Sequence, residues 1–300
     1  MLKITSCETK GYIATNLIKE YFILTKPGII FGNLLATVGG FLLASRGVID
    51  VLLFTATVSG IALVIASGCV FNNYMDRRID ALMSRTKNRS LVVGSISLRS
   101  ALSFGSFLGG MGFLVLYFGT NTTTTLLALI GFIFYVFIYG YFKRKSSYST
   151  IVGSIPGAIP LVVGYCAVTN AFDIGATILF LTMAVWQMPH FYAISIFRHN
   201  DYKNAGLPVL SVAKGIGKTK RHILFFVFLY GLMILALVVS GTVGYVFAAV
   251  MLLLTCYWAW RGVNGFKTLN SVRWARKMFG FSLIVLLSFS LMLSLDMLLH

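Results

Sequence analysis

The sequence predicts an all-α polytopic membrane protein: nine transmembrane helices in a single bundle, N-terminus cytoplasmic and C-terminus on the opposite side. Three observations carry that expectation. Only 11% of the 300 residues are charged and 58% are hydrophobic, whereas soluble domains carry about 25% charged residues. Charge-free runs cover 27–45, 51–75, 100–142, 146–172, 174–197, 223–260 and 278–295, and a membrane-crossing helix needs about 20 apolar residues. The basic residues, finally, are sorted by loop.

The elements follow in order. "NLIKEYFILTKPG" (16–28) reads as an interfacial lead-in, and Pro27 suits the first turn of the first spanning helix. Glu8 and Glu20 interrupt the start, so no cleavable signal peptide is expected there. The run 100–142 is long enough for two helices and breaks at "GTNTTTT" (119–125); the run 223–260 breaks at "SGTVG" (240–244). The runs are continuously apolar rather than alternating, which favours helices over a barrel. Nine spans then distribute the 25 Lys and Arg as four in the N-terminal segment, six in loop 2–3, three in loop 4–5, six in loop 6–7 and five in loop 8–9, leaving Arg46 alone on the other face. An error of one helix would scramble this separation, and the positive-inside rule sets the basic loops in the cytoplasm. The net charge of +17 is thereby explained by topology and anionic lipid contact, and nucleic-acid binding is not required. The organisation is a segment 1–26 followed by one membrane domain, 27–300, with cytoplasmic loops at 72–99, 143–149, 198–222 and 261–277. Cys7, Cys69, Cys166 and Cys256 share no metal-like spacing and read as small hydrophobes.

The chemistry concentrates in "NNYMDRRIDALMSRTKNR" (72–89). Asn72, Asp76 and Asp80 stand at i, i+4 and i+8, one stripe of a helix, with Asn73 at its border. Two carboxylates one turn apart repel unless a positive charge lies between them. One reading makes Arg77, Arg78 and Arg85 their partners at a solvated helix end. The other places Mg²⁺ there, which prefers carboxylate oxygens and shares its shell with substrate phosphates. Arg77, Arg85, Lys87 and Arg89 would oppose a bare metal but suit a metal that arrives with a diphosphate. A second loop, "FRHNDYKNAGLPVLSVAKG" (197–215), sets Asp201 among Arg198, Lys203 and Lys214, with Tyr202 and Asn204 as donors. Lys143-Arg144-Lys145 closes the fourth helix on the same side. Asp76/Asp80 follow helix 2 and Asp201 follows helix 6, so both acidic segments face one side, as two bundles sharing one polar mouth.

The stretch 72–89 resembles the N-D-x-x-D-x-x-x-D region of the UbiA-type intramembrane prenyltransferases. "TKPGIIFGNLLATVGGFLLASRG", "WQMPHFYAISIFRHNDYKNAGLPVL" and "RWARKMFGFS" are similar to the haem-farnesylating branch of that family. The likeness covers about residues 25–285. It implies that Asn72, Asp76 and Asp80 hold Mg²⁺ and the diphosphate, that Asn73, Arg85, Lys87, Arg89, Lys143 and Arg144 contact the prenyl donor, and that Asp201, Tyr202 and Lys203 form the second motif; Arg77 and Arg198, read from their charge alone, join the donor-binding set. Ser90 and Ser211 stand where many relatives have Pro. The implied reaction is transfer of farnesyl from farnesyl diphosphate to a vinyl group of protohaem IX with addition of water, at the cytoplasmic face of a bacterial inner membrane, and handover of haem O to a haem A synthase or terminal oxidase.

His190, inside the apolar sixth run, and His199 are the candidate haem ligands; a histidine bonded to a neighbouring helix is the rival reading for His190. His222 and His300 read as loop and terminal residues. Trp186 and Gln187 are candidates for the haem slot, with packing as the alternative. Gly28, Gly32, Gly39 and Gly40 are expected to permit close helix packing. The competing activity is prenylation of an aromatic quinone precursor. A transporter would carry ionisable groups at mid-membrane, whereas every Asp here lies at or beyond an expected helix end.

Overall fold

The computed structural model describes residues 17–296. The expectations for Cys7, Glu8, His300 and the first part of segment 1–26 lie outside the described residues. Nine helices among those described are long and apolar enough to cross a membrane: α1 Pro27–Ser45, α2 Val51–Asp80, α3 Leu98–Gly119, α4 Thr122–Phe142, α5 Ser149–Thr169, α6 Ile174–Phe197, α7 Ile216–Val239, α8 Tyr245–Asn264 and α9 Ser271–Asp296. The two long apolar runs divide where polar capping groups stand. Asn121 accepts from the Thr124 amide at 2.8 Å to start α4, and Gly241, at φ +69°, turns the chain between α7 and α8.

Each helix packs on the next in sequence, and α9 returns to α1, so the nine form a closed ring. Further contacts tie the ring together: α1 lies along α5, α6 along α9, and α2 also touches α4 and α5. The most enclosed spans are α5 and α6, at 61% and 56% buried, which makes them the inner wall. Lipid tails are as apolar as leucine, so close packing rather than water exclusion must hold such helices together. The α1–α5 crossing shows how. A Cβ on Gly40 would run into the Leu161 carbonyl oxygen, and one on Gly164 into that of Thr37. Gly39 meets Ser290 of α9 in the same way, but Gly28 and Gly32 face open space, so the packing role expected for them is not seen.

Helix ends depart from the apolar runs. α2 continues to Asp80, through the whole acidic stripe. α7 begins at Ile216 and α9 at Ser271, several residues before their charge-free runs. Segments expected as loop, 72–80 and 216–222 among them, are therefore helical. Long Lys and Arg side chains reach from a helix end to the interface, so a charged last turn need not end the helix. His222 is one such case: it sits in α7, edge-on to Tyr192 at 5.8 Å, and not in a loop. Within α4, Phe134–Ile138 forms one π-helical turn, which sets Tyr135 and Tyr139 in a stack with centroids 6.3 Å apart. Gly68 of α2 makes room for the Tyr135 ring.

Candidate active site

The C-terminal end of α2 presents a buried polar stripe. Asn72, Asn73, Asp76 and Asp80 are 6%, 4%, 5% and 3% exposed. Burying two carboxylates costs several kcal/mol each, on the order of the ion-desolvation penalty, unless they are paired, and the structure pairs both. Arg89 Nη1 donates to Asp80 Oδ2 at 2.7 Å and to Asn73 Oδ1 at 3.0 Å. Lys143 Nζ donates to Asp76 Oδ2. Arg144 donates to the Met75 carbonyl at 2.7 Å and reaches Asp76 Oδ1 at 3.4 Å. Beneath the stripe, Leu24, Val70, Leu91, Ile96 and Ala101 form a small apolar cluster that seats the lead-in and the 2–3 connection on α2.

The fourth cation is Lys26, which the sequence reading left in the lead-in. Its Nζ donates to Asn72 Oδ1 at 2.7 Å, and it lies within electrostatic range of Asp76, Arg89 and Lys143. Burial is the largest influence on its ammonium and lowers its pKa to about 8. The turn that carries it is stitched to the stripe, because Asn73 Nδ2 donates to the Leu24 carbonyl at 2.8 Å.

The remaining expected residues divide. Asp201 accepts from Ser84 Oγ at 2.8 Å and lies 3.8 Å from Arg198, so the two acidic segments do meet. Tyr202 is within electrostatic range of Arg85 and Arg198, yet burial still raises its phenol pKa. Arg77 turns away from the carboxylates onto its own Tyr74, donating to that carbonyl at 2.7 Å with its guanidinium 4.6 Å from the ring centre. Arg85, Lys87 and Lys203 are exposed at the mouth. Asp201 does not join Asp76 and Asp80 in a set of three acids placed to hold a metal, nor do any three His, Cys, Asp or Glu among the described residues.

That donor set fits one kind of metal. Two carboxylates and an amide, all hard oxygen donors, suit Mg²⁺, which is held by one or two carboxylates and completes its shell from water and substrate phosphate. They do not suit a structural zinc, which wants four protein ligands including nitrogen or sulfur. Four cations stand against two carboxylates around the stripe, namely Lys26, Arg89, Lys143 and Arg144 against Asp76 and Asp80. The surplus is positive, as a diphosphate requires.

His190 lies between α6 and α9, stacked on Trp186 at 5.0 Å and near Phe279 at 4.8 Å. Its Nδ1 is 2.7 Å from Ser282 Oγ, which also lies 2.6 Å from the Phe279 carbonyl. Ser282 has one hydroxyl hydrogen. If the carbonyl takes it, Oγ accepts from His190 Nδ1–H and the lone pair stands on Nε2, the form in which histidine ligates iron. Ser282 is therefore both the neighbouring-helix partner of the rival reading and a device that orients the ring. The Nδ1 of His199 is buried with no hydrogen-bond partner. Trp186 Nε1 donates to the Ser282 carbonyl, and Gln187 to those of Ser154 and Met183, so both are engaged in packing.

Comparison with known proteins agrees with this architecture. Over nine-tenths of its length the chain aligns with solved structures that show the same fold. One, described as digeranylgeranylglyceryl phosphate synthase, has a TM-score of 0.76 at 20% identity, with 94% of this chain and 99% of that one covered. A UbiA homolog from Archaeoglobus fulgidus bound to DMAPP and Mg²⁺ has a TM-score of 0.72 at 15% identity, covering 92% and 99%. Among curated sequences, the protoheme IX farnesyltransferase of Yersinia enterocolitica is 53% identical over 281 residues, 93% of this chain and 95% of that one. The protoheme IX farnesyltransferase of Photorhabdus laumondii is 51% identical over 281 residues, covering 93% and 96%. A model of the UbiA prenyltransferase family matches residues 33–285. With its acidic stripe, its ring of nine helices and these similarities taken together, the chain belongs to the UbiA prenyltransferase family.

Proposed function

We propose that this chain transfers the farnesyl group of farnesyl diphosphate to a vinyl group of protohaem IX, with addition of water, to give haem O. The observation that carries the donor half is the buried Asn72–Asp76–Asp80 stripe with a positive surplus around it. The acceptor half is supported by the relatives named protoheme IX farnesyltransferase, of whose length the chain covers 95% and 96%.

Asn72, Asp76 and Asp80 would hold Mg²⁺, which when bound adds Lewis-acid stabilisation to the leaving diphosphate. Arg89, Lys143 and Arg144 bind and orient that diphosphate while its C1–O bond breaks. Arg77, Arg85, Lys87, Lys203 and Arg198 draw the donor to the mouth, and Asp201 with Tyr202 holds the second loop over it. The surrounding helices keep bulk water from the allylic cation. The terminal vinyl carbon of the haem forms the new bond to C1. The resulting cation beside the macrocycle takes one water, whose proton leaves, so farnesyl diphosphate, protohaem and water become haem O and diphosphate. His190 ligates the haem iron from between α6 and α9, and His199 completes the slot. The single domain 27–300 sits in the bacterial inner membrane with its N-terminus, its basic loops and this site in the cytoplasm; the charge sorting of the loops supports that orientation. Handover to a haem A synthase or terminal oxidase follows from the apolar product.

The test is to express the chain in membranes lacking this activity, extract the haem and weigh it. A gain over protohaem of one farnesyl and one water, absent in Asp76→Asn, is expected. Unchanged protohaem with well-inserted protein would sink the haem reading and favour an aromatic quinone precursor as acceptor.

A further inference from the structure

We infer that Lys26 is a direct ligand of the donor's diphosphate, reaching it from the residue that precedes α1. The inference rests on the prenyl-transfer reading above and adds a residue to it. Three independent features point the same way.

The first is backbone strain. Lys26 adopts φ 55° and ψ 65°, the left-handed region, immediately before Pro27 and at the first residue flanking α1. A non-glycine residue held there costs about 1–3 kcal/mol, and such strain collects at ligand clamps. Glycine at this position would remove the strain, and the sequence carries lysine instead.

The second is aim. The strained turn directs Nζ inward, onto Asn72 Oδ1 at 2.7 Å, at the head of the acidic stripe. Two anchors fix the turn. Asn73 Nδ2 bonds the Leu24 carbonyl at 2.8 Å, and the Thr25 hydroxyl bonds the Phe22 carbonyl at 2.7 Å.

The third is charge. Asp76 and Asp80 already have Lys143, Arg144 and Arg89 as partners. Among the described residues Lys26 hydrogen-bonds only a neutral amide; Asp76, already paired, attracts it from a distance, while Arg89 and Lys143 repel it. A buried ammonium in that position is costly unless an anion shares the site. An anion lodged among Lys26, Arg89 and Lys143 would satisfy all three. The lead-in helix and α1 thereby supply one wall of the anion site, α2 the second and the end of α4 the third.

The experiment compares binding of farnesyl diphosphate and farnesyl monophosphate, each with MgCl₂, to the full chain in lipid nanodiscs, for the native protein, Lys26→Met and Lys26→Arg. Loss of one charge-assisted contact to the second phosphate should weaken diphosphate binding about 10- to 100-fold in Lys26→Met. The monophosphate should change by less than about threefold, and Lys26→Arg should recover most of the loss. Equal weakening of both ligands would overturn the inference and leave Lys26 a prop for Asn72. No weakening of either would overturn it too. If native protein itself failed to discriminate farnesyl diphosphate from farnesol, the prenyl-transfer reading and this inference would fall together. Should Lys26→Met not fold, Lys26→Gln keeps a polar head and carries the same comparison.

Discussion

Replacing Arg89 tests the central claim about the site, that its acids are buried and internally neutralised. Arg89 Nη1 serves two acceptors at once, Asp80 Oδ2 at 2.7 Å and Asn73 Oδ1 at 3.0 Å. Asp80 is 3% exposed. In Arg89→Met the carboxylate stays behind without its partner. Breaking a buried pair from one side costs about 3–5 kcal/mol. The Arg89 side chain is 27% exposed, so water enters more readily than at a sealed pair, and the expected loss is at the low end, about 3 kcal/mol. Adding Asp80→Asn removes the stranded charge, and the double variant should recover about 2 kcal/mol, within the range of coupling seen for contacting residues. The assay is SDS-induced unfolding in mixed micelles, read by a thiol-reactive dye. Cys69 and Cys166 are buried and free, so they report opening, while exposed Cys256 and also Cys7 are first changed to Ser. Turnover should not return in the double variant, because the Asp80 carboxylate and the Arg89 donor are both gone. A coupling below about 0.5 kcal/mol, the scale of an exposed pair, would refute the reasoning. The stripe would then be hydrated and its partners no more than topology signals.

Further outcomes follow from the same geometry. Gly40→Leu should lower stability by more than the roughly 1–3 kcal/mol of ordinary overpacking, because the obstacle is the Leu161 carbonyl and not a side chain; dye-reported melting would show it, and a native-like melt would mean that α1 and α5 separate easily. His190→Ala should cut haem O formation at least about tenfold, the scale on which perturbing a metal ligand acts, while farnesyl diphosphate binding stays within about twofold. Ser282→Ala should give a smaller loss and blur the haem absorption spectrum rather than abolish it. Chelation of divalent cations should stop turnover, with Mg²⁺ restoring it and Ca²⁺ doing so poorly, since Ca²⁺ wants about 6–8 oxygen ligands.

Much of this was legible in the sequence, for physical reasons. Charge is so costly in hydrocarbon that its absence marks each span, and its sorting between faces counts them. The stripe was legible because a helix of 3.6 residues per turn sets 72, 76 and 80 on one face. The same arithmetic bears on Arg77: it is next to Asp76 in sequence and points elsewhere on the helix, where it meets Tyr74. Arg89 lies nine residues beyond Asp80, past a turn, and only the folded loop brings it back. Lys26 was not legible as part of the site. Its partner is 46 residues away, and its charge had already been explained by topology. The π-helical turn at Phe134–Ile138 left no sign either, because one extra residue in a continuously apolar helix does not alter the hydropathy pattern.

The ion pairs at Asp76 and Asp80 have a consequence for how ligands load. In the resting chain, Lys143 and Arg89 occupy the oxygens that a metal would need. A divalent cation arriving alone would have to displace them, leaving one ammonium and one guanidinium stranded. A diphosphate arriving alone gains those cations but must approach the two carboxylates. If the two arrived together, Lys143 and Arg89 would be free to pair with phosphate and Asp76 and Asp80 with the metal, so that each charge would exchange one partner for another. Metal and diphosphate would then each raise the other's affinity, by the same factor in both directions. Such a site would favour the metal–diphosphate pair over either ion alone.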